Sequence, residues 1–215
     1  KTAYEIMPSL VGSEMCIRDR LEAIRKLGRK LVMAADEDAI IEATLDAAEK
    51  VLEYNAIAFL AVDEEKNELY LKALRGYPMP EAPLRLPLDG ERGITVAAVR
   101  SGKPVYVPDV TKDPRFVRGY PGLSTRSEMD VPVRVKGKVV GVINVEDERV
   151  DAFTGDDLLL LTALADQMAL ALENARLFRA EQEGRKLAEA LAEAATVISS
   201  TLNLSLIHIS EPTRL

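Results

Sequence analysis

Ser124-Thr125-Arg126-Ser127-Glu128-Met129-Asp130-Val131-Pro132 runs on, through Val133 to Val135 and a short polar turn, to Val139-Val140-Gly141-Val142-Ile143-Asn144-Val145, and these stretches decide the fold. Met129, Val131, Val133 and Val135 fall on every second residue, with Glu128, Asp130, Pro132 and Arg134 between them. A period of two is a β-strand with one face on a core and the other in water. Lys136-Gly137-Lys138 then makes a tight hairpin turn, and Val139 to Val145 is the returning strand. Pro132 has no N–H for the ladder, which places it at an edge or a bulge. Glu128 and Asp130 stand about 7 Å apart on one strand face, at about 3.3 Å per residue. Paired carboxylates can do acid–base work. No nucleophile or metal cluster accompanies them here, so they read as the polar side of a half-covered sheet, and no residue is assigned a catalytic role.

Upstream of the hairpin, Leu21, Ile24, Leu27, Leu31 and Val32 make one apolar stripe at helical spacing. Asp36 is placed to cap a second helix whose inward residues are Ile40, Ile41, Leu45, Ala48, Val51 and Leu52. Residues 56–62 are a short apolar run, a buried strand, followed by the polar turn Glu64-Glu65-Lys66-Asn67 and a second strand from Glu68 to Ala73. Tyr77 to Pro87 is proline-rich loop. Gly93 to Arg100 is a short helix stopped at Ser101-Gly102, and Pro104 to Val110 is a third strand. Lys112 to Leu123, with two prolines and two glycines, is a second long loop.

Downstream, Thr154 and Asp157 have the spacing of a capping box with Asp in the usual Glu position, and they open a long helix. Leu161, Leu164, Met168, Ala171, Ala175 and Phe178 alternate spacings of three and four, a coiled-coil-like seam expected to pair with a second protomer. Gly184 interrupts this seam before Leu187, Leu191, Ala194 and Ile198 resume it. The expected architecture is α+β: an antiparallel sheet of five to six strands with helices on one face and a long C-terminal helix.

The two ends break this pattern and are related to each other through the genetic code. Leu10 to Asp19 can be written CTC GTG GGC TCG GAG ATG TGT ATA AGA GAC, with AG opening Arg20. The opposite strand then spells Leu204 to Arg214 in a shifted frame. Residues 1–20 and 204–215 are therefore read as translated sequencing-library adapter, to be set aside in reasoning about the fold and expected to pack poorly. The only cysteine, Cys16, and the only histidine, His208, both fall in these ends. The expected organisation is a linker or dimer helix over 21–35, a domain over 36–178 and a helical linker over 179–203. Glu189-Ala190-Leu191 echoes Glu22-Ala23-Ile24, so the last segment reads either as the opening helix of a second such unit or as a generic Ala/Leu/Glu helix.

Residues 21–203 carry the whole formal charge of −7, because the four basic and four acidic residues of the two ends cancel. An acidic chain without a basic stripe argues against nucleic acid. No apolar run approaches the roughly 20 residues that span a bilayer, and the default is a cytoplasmic segment. With no cysteine in 21–203, disulfides and zinc–thiolate sites are excluded from that segment.

The ordered run from Ser124 through Val139–Val145 and Phe153-Thr154-Gly155-Asp156-Asp157 to Ala171-Leu172-Glu173-Asn174-Ala175-Arg176-Leu177 resembles the GAF domain, a small-ligand-sensing and dimerising module of signalling proteins. The resemblance covers roughly 36–178. It implies a pocket between the sheet and the loops 76–92 and 111–125, near Val107, Pro108, Asp109, Phe116, Tyr120, Thr125 and Ser127. Asp109 and Ser127 can equally cap loops, and the aromatics can fill core. Cyclic-nucleotide-binding members carry an Asn-Lys…Phe-x-x-x-Asp-Glu signature. Asn144, Phe153 and Asp157 match it, while Val145 and Leu158 stand where the Lys and Glu would be. Bilin and haem attachment use Cys and His, absent from 21–203, so neither cofactor is expected. Reduction of free methionine sulfoxide, which some family members perform with cysteines, is set aside on the same ground. The resemblance thus implies a regulatory, non-enzymatic sensor. It would bind a small molecule and relay its state through dimeric helices to an output domain in the same chain, such as a histidine kinase or a cyclic-dinucleotide enzyme. The alternative is a ligand-free dimeric spacer.

Overall fold

A computed structural model describes residues 3–31, 33–34, 36–54, 56–76, 84–119 and 124–209, with side chains left out for 3–16, 51 and 199–209. Val32 and Tyr120 lie outside the described residues, as does the side chain of Val51. The packing of most of both ends lies outside them too. In chain order the elements are α1 (Ala3–Leu31), α2 (Glu37–Leu52), β1 (Ile57–Asp63), β2 (Glu68–Arg75), β3 (Arg85–Pro87), α3 (Ile94–Ser101), β4 (Val105–Val107), β5 (Ser127–Val135), β6 (Lys138–Asp147) and α4 (Gly155–Ile209). The strands form one antiparallel six-stranded sheet in the order β3-β2-β1-β6-β5-β4. The chain divides into two units, Lys1–Ala175 and Arg176–Leu215.

Local chemistry accounts for most element boundaries. Asp36 accepts a hydrogen bond from the Ala39 N–H and caps α2. Lys136 and Gly137 both take positive φ, 52° and 81°, so the β5–β6 hairpin closes on a two-residue turn whose twist matches its strands. Pro132 falls where β5 has outrun β4, which ends opposite Asp130, and beside the register shift between Val133 and Arg134. At the start of α4, the Asp157 carboxylate accepts from Thr154 N–H (2.8 Å) and Oγ1–H (2.7 Å), and Asp157 N–H donates to Thr154 Oγ1. This reciprocal arrangement satisfies free N–H groups of the first turn. The Tyr54 hydroxyl donates to Asp157 Oδ1 at 3.1 Å, which ties the end of α2 to this cap.

The main core joins one face of the sheet to the helices. Ile57, Phe59, Met129, Val131, Val133, Ile143 and Val145 meet Ile24 and Leu31 of α1, Ile40, Ile41 and Leu45 of α2, and Leu161, Leu164, Met168 and Leu172 of α4. Five of the six residues read as an inter-protomer seam, Leu161, Leu164, Met168, Ala171 and Ala175, are therefore buried in this chain's own core. The same three–four spacing serves a sheet as well as a partner helix. Phe178 is half exposed.

Helices do not lie on one face only, which corrects that expectation. Ala58, Leu60 and Leu69 point to the opposite face and pack with Val96 of α3. Ile94 of α3 packs with Val107 and Val110. The sheet is thus covered on both sides, and β1 is buried from Ile57 to Ala61. One smaller difference follows from context. Arg85–Pro87, expected in loop, adds a short edge strand on β2. The long helix α4 runs through Gly184, since a lone glycine costs a helix only about 1 kcal/mol relative to alanine. By length and apolarity alone Gly155–Ile198 could cross a bilayer, with a mean hydropathy of 1.3 in its most apolar window, yet half of that window is buried inside the chain.

A buried carboxylate cavity under helix α3

The face of β5 and β6 that α3 covers carries the polar residues. Glu128 stands directly opposite Glu146, and Asp130 directly opposite Asn144. Alternation along the strand assigned Glu128 and Asp130 to solvent. They are instead 5% and 0% exposed, because α3 lies over the strand face assigned to water. Asn144 Nδ2 donates to Glu128 Oε1 (3.2 Å) and to Asp130 Oδ1 (3.1 Å), bridging the two acids. Thr125 Oγ1 donates to Glu146 Oε2. Asp130 Oδ2 is the one fully buried side-chain oxygen or nitrogen among the described residues without a hydrogen-bond partner.

Burial disfavours the charged forms and pushes both carboxyls upward. For Glu128 the next causes are the negative charges of Asp130 and Glu146. For Asp130, hydrogen bonds from Glu128 and Asn144 pull back against burial, and the charge of Arg115 helps them. The Arg115 guanidinium is itself committed to Asp113, at 2.6 and 3.0 Å. The pair Glu128–Asp130 consequently holds a proton well above the usual carboxylate range.

Glu128, Asn144 and Glu146 wall a cavity closed by Leu60, Leu84, Leu86, Ile94, Thr95, Val117 and the backbones of Gly93 and Gly119. Its volume is about 20 Å³, room for one water-sized group. Gly93, at φ 102°, precedes α3 and supplies no side-chain cap. Among the described residues no group of three or more His, Cys, Asp or Glu is arranged to hold a metal ion.

The sequence-derived pocket residues are distributed differently. Val107, Pro108 and Asp109 line a separate open groove of about 680 Å³ with Lys112, Asp113, Pro114, Arg115, Val150 and Asp151. Asp109 Oδ1 accepts from Thr111 N–H and Oγ1–H, which, with Lys112 and Arg126 nearby, holds its carboxyl down at about 2. Phe116 packs beside Ile94, Val107 and Val110. Ser127 is buried and donates to the Arg149 carbonyl at 2.8 Å. Among the described residues of that set, Thr125 reaches the carboxylate cavity, through Glu146. Glu128, Asp130, Asn144 and Glu146 were absent from that set. Their signal was present as four polar residues at alternate positions of paired strands, and it needed knowledge of what covers that face.

Residues 34–173 match the model of the GAF domain. Among curated proteins, the YtsP protein of Bacillus subtilis (strain 168) is 31% identical over 120 residues, which is 56% of this chain and 69% of that protein. The Nif-specific regulatory protein of Azospirillum lipoferum is 30% identical over 142 residues, 58% of this chain but 23% of the regulator, so the chain spans under a quarter of that relative's length. Among solved structures, free methionine-R-sulfoxide reductase from Neisseria meningitidis, determined in complex with its substrate, superposes with a TM-score of 0.65 at 26% identity. That likeness covers 74% of this chain and 90% of the reductase. The reductase corrects the expectation that this fold marks a non-enzyme, because catalysis is carried out on the same framework. The match over 34–173 takes in α2, α3, the start of α4, the sheet and the carboxylate cavity, and the chain belongs to the GAF domain family.

Proposed function

We propose that this chain is the sensor segment of a larger cytoplasmic signalling protein, and that the cavity walled by Glu128, Asn144 and Glu146 is where its small-molecule signal binds. The observation that carries the reading is the buried, incompletely satisfied polar cluster. A folded domain leaves few polar groups without partners, and here Asp130 Oδ2 lacks one in the cluster that Asn144 ties together, of which Glu128 and Asn144 wall the cavity. Membership of the GAF family and likeness to a Nif-specific regulator support a regulatory role.

Occupancy of the cavity would displace α3 relative to β5 and β6, and the change would reach α4 through the sheet that α4 packs against. A ligand shifts such an equilibrium only by its difference in affinity for the two states. A second copy of the chain would pair through exposed residues of α4. Leu159 and Leu170 serve in the first unit, and Leu177, Phe178, Leu187 and Leu191 in the second. Residues 1–20 and 204–215 are proposed to be adapter-derived and to take no part. An output domain in the full-length protein would read the helix state.

A ligand-free dimeric spacer is the second reading, and the small cavity volume of about 20 Å³ favours it. Differential scanning fluorimetry of the chain and of Glu128→Gln against a metabolite panel separates the two. A compound that raises the Tm of the parent and not of the variant supports the sensor. A flat response in both supports the spacer.

A further inference from the structure

Three other parts of the chain meet where α4 begins. Tyr54 follows α2, Tyr106 lies in β4, and Asp151 and Phe153 belong to the connection from β6 to α4. The Phe153 ring stands edge to face with both tyrosines, at centroid distances of 5.9 Å from Tyr54 and 6.0 Å from Tyr106. Each tyrosine hydroxyl donates to a different acid. Tyr54 reaches Asp157, inside the α4 cap, and Tyr106 reaches Asp151 Oδ1 at 2.8 Å. The Asp151 N–H in turn donates to the Pro108 carbonyl, also at 2.8 Å. These two bonds hold Asp151 at φ 55°, in the left-handed region that residues with a side chain seldom take.

The two ends of this connection are held differently. Phe153 and Tyr54 are buried, and both belong to the main core. The Tyr106–Asp151 bond is exposed, so water competes for both partners. Val150 and Asp151 line the open groove together with Val107, Pro108 and Asp109, the residues that follow Tyr106. None of Gly155 to Leu159, the first turn of α4, is buried, and the buried residues of the helix begin at Leu160. That turn therefore depends on its cap and on the connection leading into it. We propose that residues 148–154 form a strap with a releasable outer clasp, Tyr106–Asp151, and a fixed inner anchor, Phe153 with Tyr54 and Asp157. Through this strap, contact made in the groove loosens the start of α4. The route bypasses the carboxylate cavity and goes beyond the sensor reading, since it stands whatever that cavity binds.

Amide hydrogen exchange of the full chain, read residue by residue by NMR, tests the strap. Tyr106→Phe keeps the ring against Phe153 and removes only the hydroxyl. It is expected to speed exchange about fivefold to tenfold at Asp151, Thr154, Asp157 and Leu158, the net weight of one hydrogen bond, while amides of β1 and β2 keep their protection. Asp151→Gly should do the same at Thr154, Asp157 and Leu158. Asp151→Asn, whose side-chain oxygen still accepts from Tyr106, should stay near the parent. Tyr54→Phe should loosen Thr154, Asp157 and Leu158 and leave Asp151 protected. Coupling from the groove is read with a bulky maleimide on Val150→Cys in a Cys16→Ser background, beside the same label on Glu65→Cys in the exposed β1–β2 turn. The label at 150 is expected to speed exchange at Thr154, Asp157 and Leu158, and the label at 65 to leave them unchanged. Unchanged exchange in Tyr106→Phe, or an equal rise throughout the sheet, overturns the clasp. Opening of Asp151 in Tyr54→Phe makes the connection a single unit and overturns the two-ended strap. A label at 150 without effect on α4, or a label at 65 with the same effect, overturns the coupling. Failure of the metabolite panel bears on the sensor reading alone and leaves each of these outcomes readable.

Discussion

Asp130→Asn is expected to stabilise the protein at pH 8 and to leave it nearly unchanged at pH 5. The substitution keeps the shape of the side chain. Its amide oxygen can still accept from Asn144, and its nitrogen stands where Oδ2 lacks a partner, able to donate toward Glu128. Burial raises the Asp130 carboxyl from its ordinary 3.8 to about 7. At about 1.4 kcal/mol per pH unit, that corresponds to a ceiling of about 4 kcal/mol against the ionised form, and sharing of the proton with Glu128 reduces it to roughly half. Because the folded-state value lies above the unfolded one, the native state binds more protons between about pH 4 and pH 7. The contribution is full below the unfolded value and is lost as pH climbs through the folded one. Carboxylates held low by arginines, Asp46 by Arg75, Asp113 by Arg115 and Asp147 by Arg149, act oppositely and lose stability as pH falls toward their values. They are common to both proteins and cancel in the comparison. Urea unfolding at half-unit intervals from pH 5 to pH 8 reads the difference directly. As pH rises, the stability gap between the two proteins should open by about 2–4 kcal/mol in favour of the variant. Parallel curves, or a variant less stable at pH 8, would refute the account of the cluster.

Gly141→Ala should cost about 1–3 kcal/mol in urea unfolding, since a Cβ there would overlap the Phe59 ring and lie 2.7 Å from the Leu60 carbonyl oxygen, an overpacking against backbone that cannot yield. Leu164→Ala, at a fully buried position, should lose about 2–5 kcal/mol of stability. Leu170→Glu, at a half-exposed position of the same helix, should change stability little, within about 0.5 kcal/mol, and sedimentation should show weakened self-association. A chain reduced to residues 21–203 should match the full chain's Tm to within a few degrees. The Arg20–Glu53 ion pair it loses is exposed and worth at most about 1 kcal/mol.

What was legible in the sequence was what neighbours along the chain decide. The Asp36 cap, the Lys136-Gly137 turn, the Thr154–Asp157 box and the described inward residues of α1 and α2 depend on spacings of one to four residues, and each formed as read. What a face packs against is a property of the whole fold, and there the reading fell short. Leu161, Leu164 and Met168 suit a partner helix or the chain's own sheet equally well, and they went to the sheet. Glu128 and Asp130 alternate with Met129 and Val131 as solvent-facing residues would. Only the placement of α3 puts them in the interior. Arg85-Leu86-Pro87 is too short, and too close to proline, to announce a strand before β2 offers it an edge.

The two functional readings differ in what they ask of these acids. A spacer needs only a rigid core, and in such a core Glu128, Asp130 and Asn144 are pure cost, since apolar replacements of similar volume commonly equal or improve on buried charged groups. Leucine already occupies the neighbouring walls at positions 60, 84 and 86, so the surroundings are suited to an apolar filling. A sensor, in contrast, needs a site that is unsatisfied while empty, because that deficit is what a ligand relieves and what biases the domain between states. Glu128→Gln combined with Asp130→Asn therefore decides between them. Higher stability with no loss of any ligand response belongs to a spacer, and higher stability with the response abolished belongs to a sensor whose empty state is held under tension by its own carboxylates.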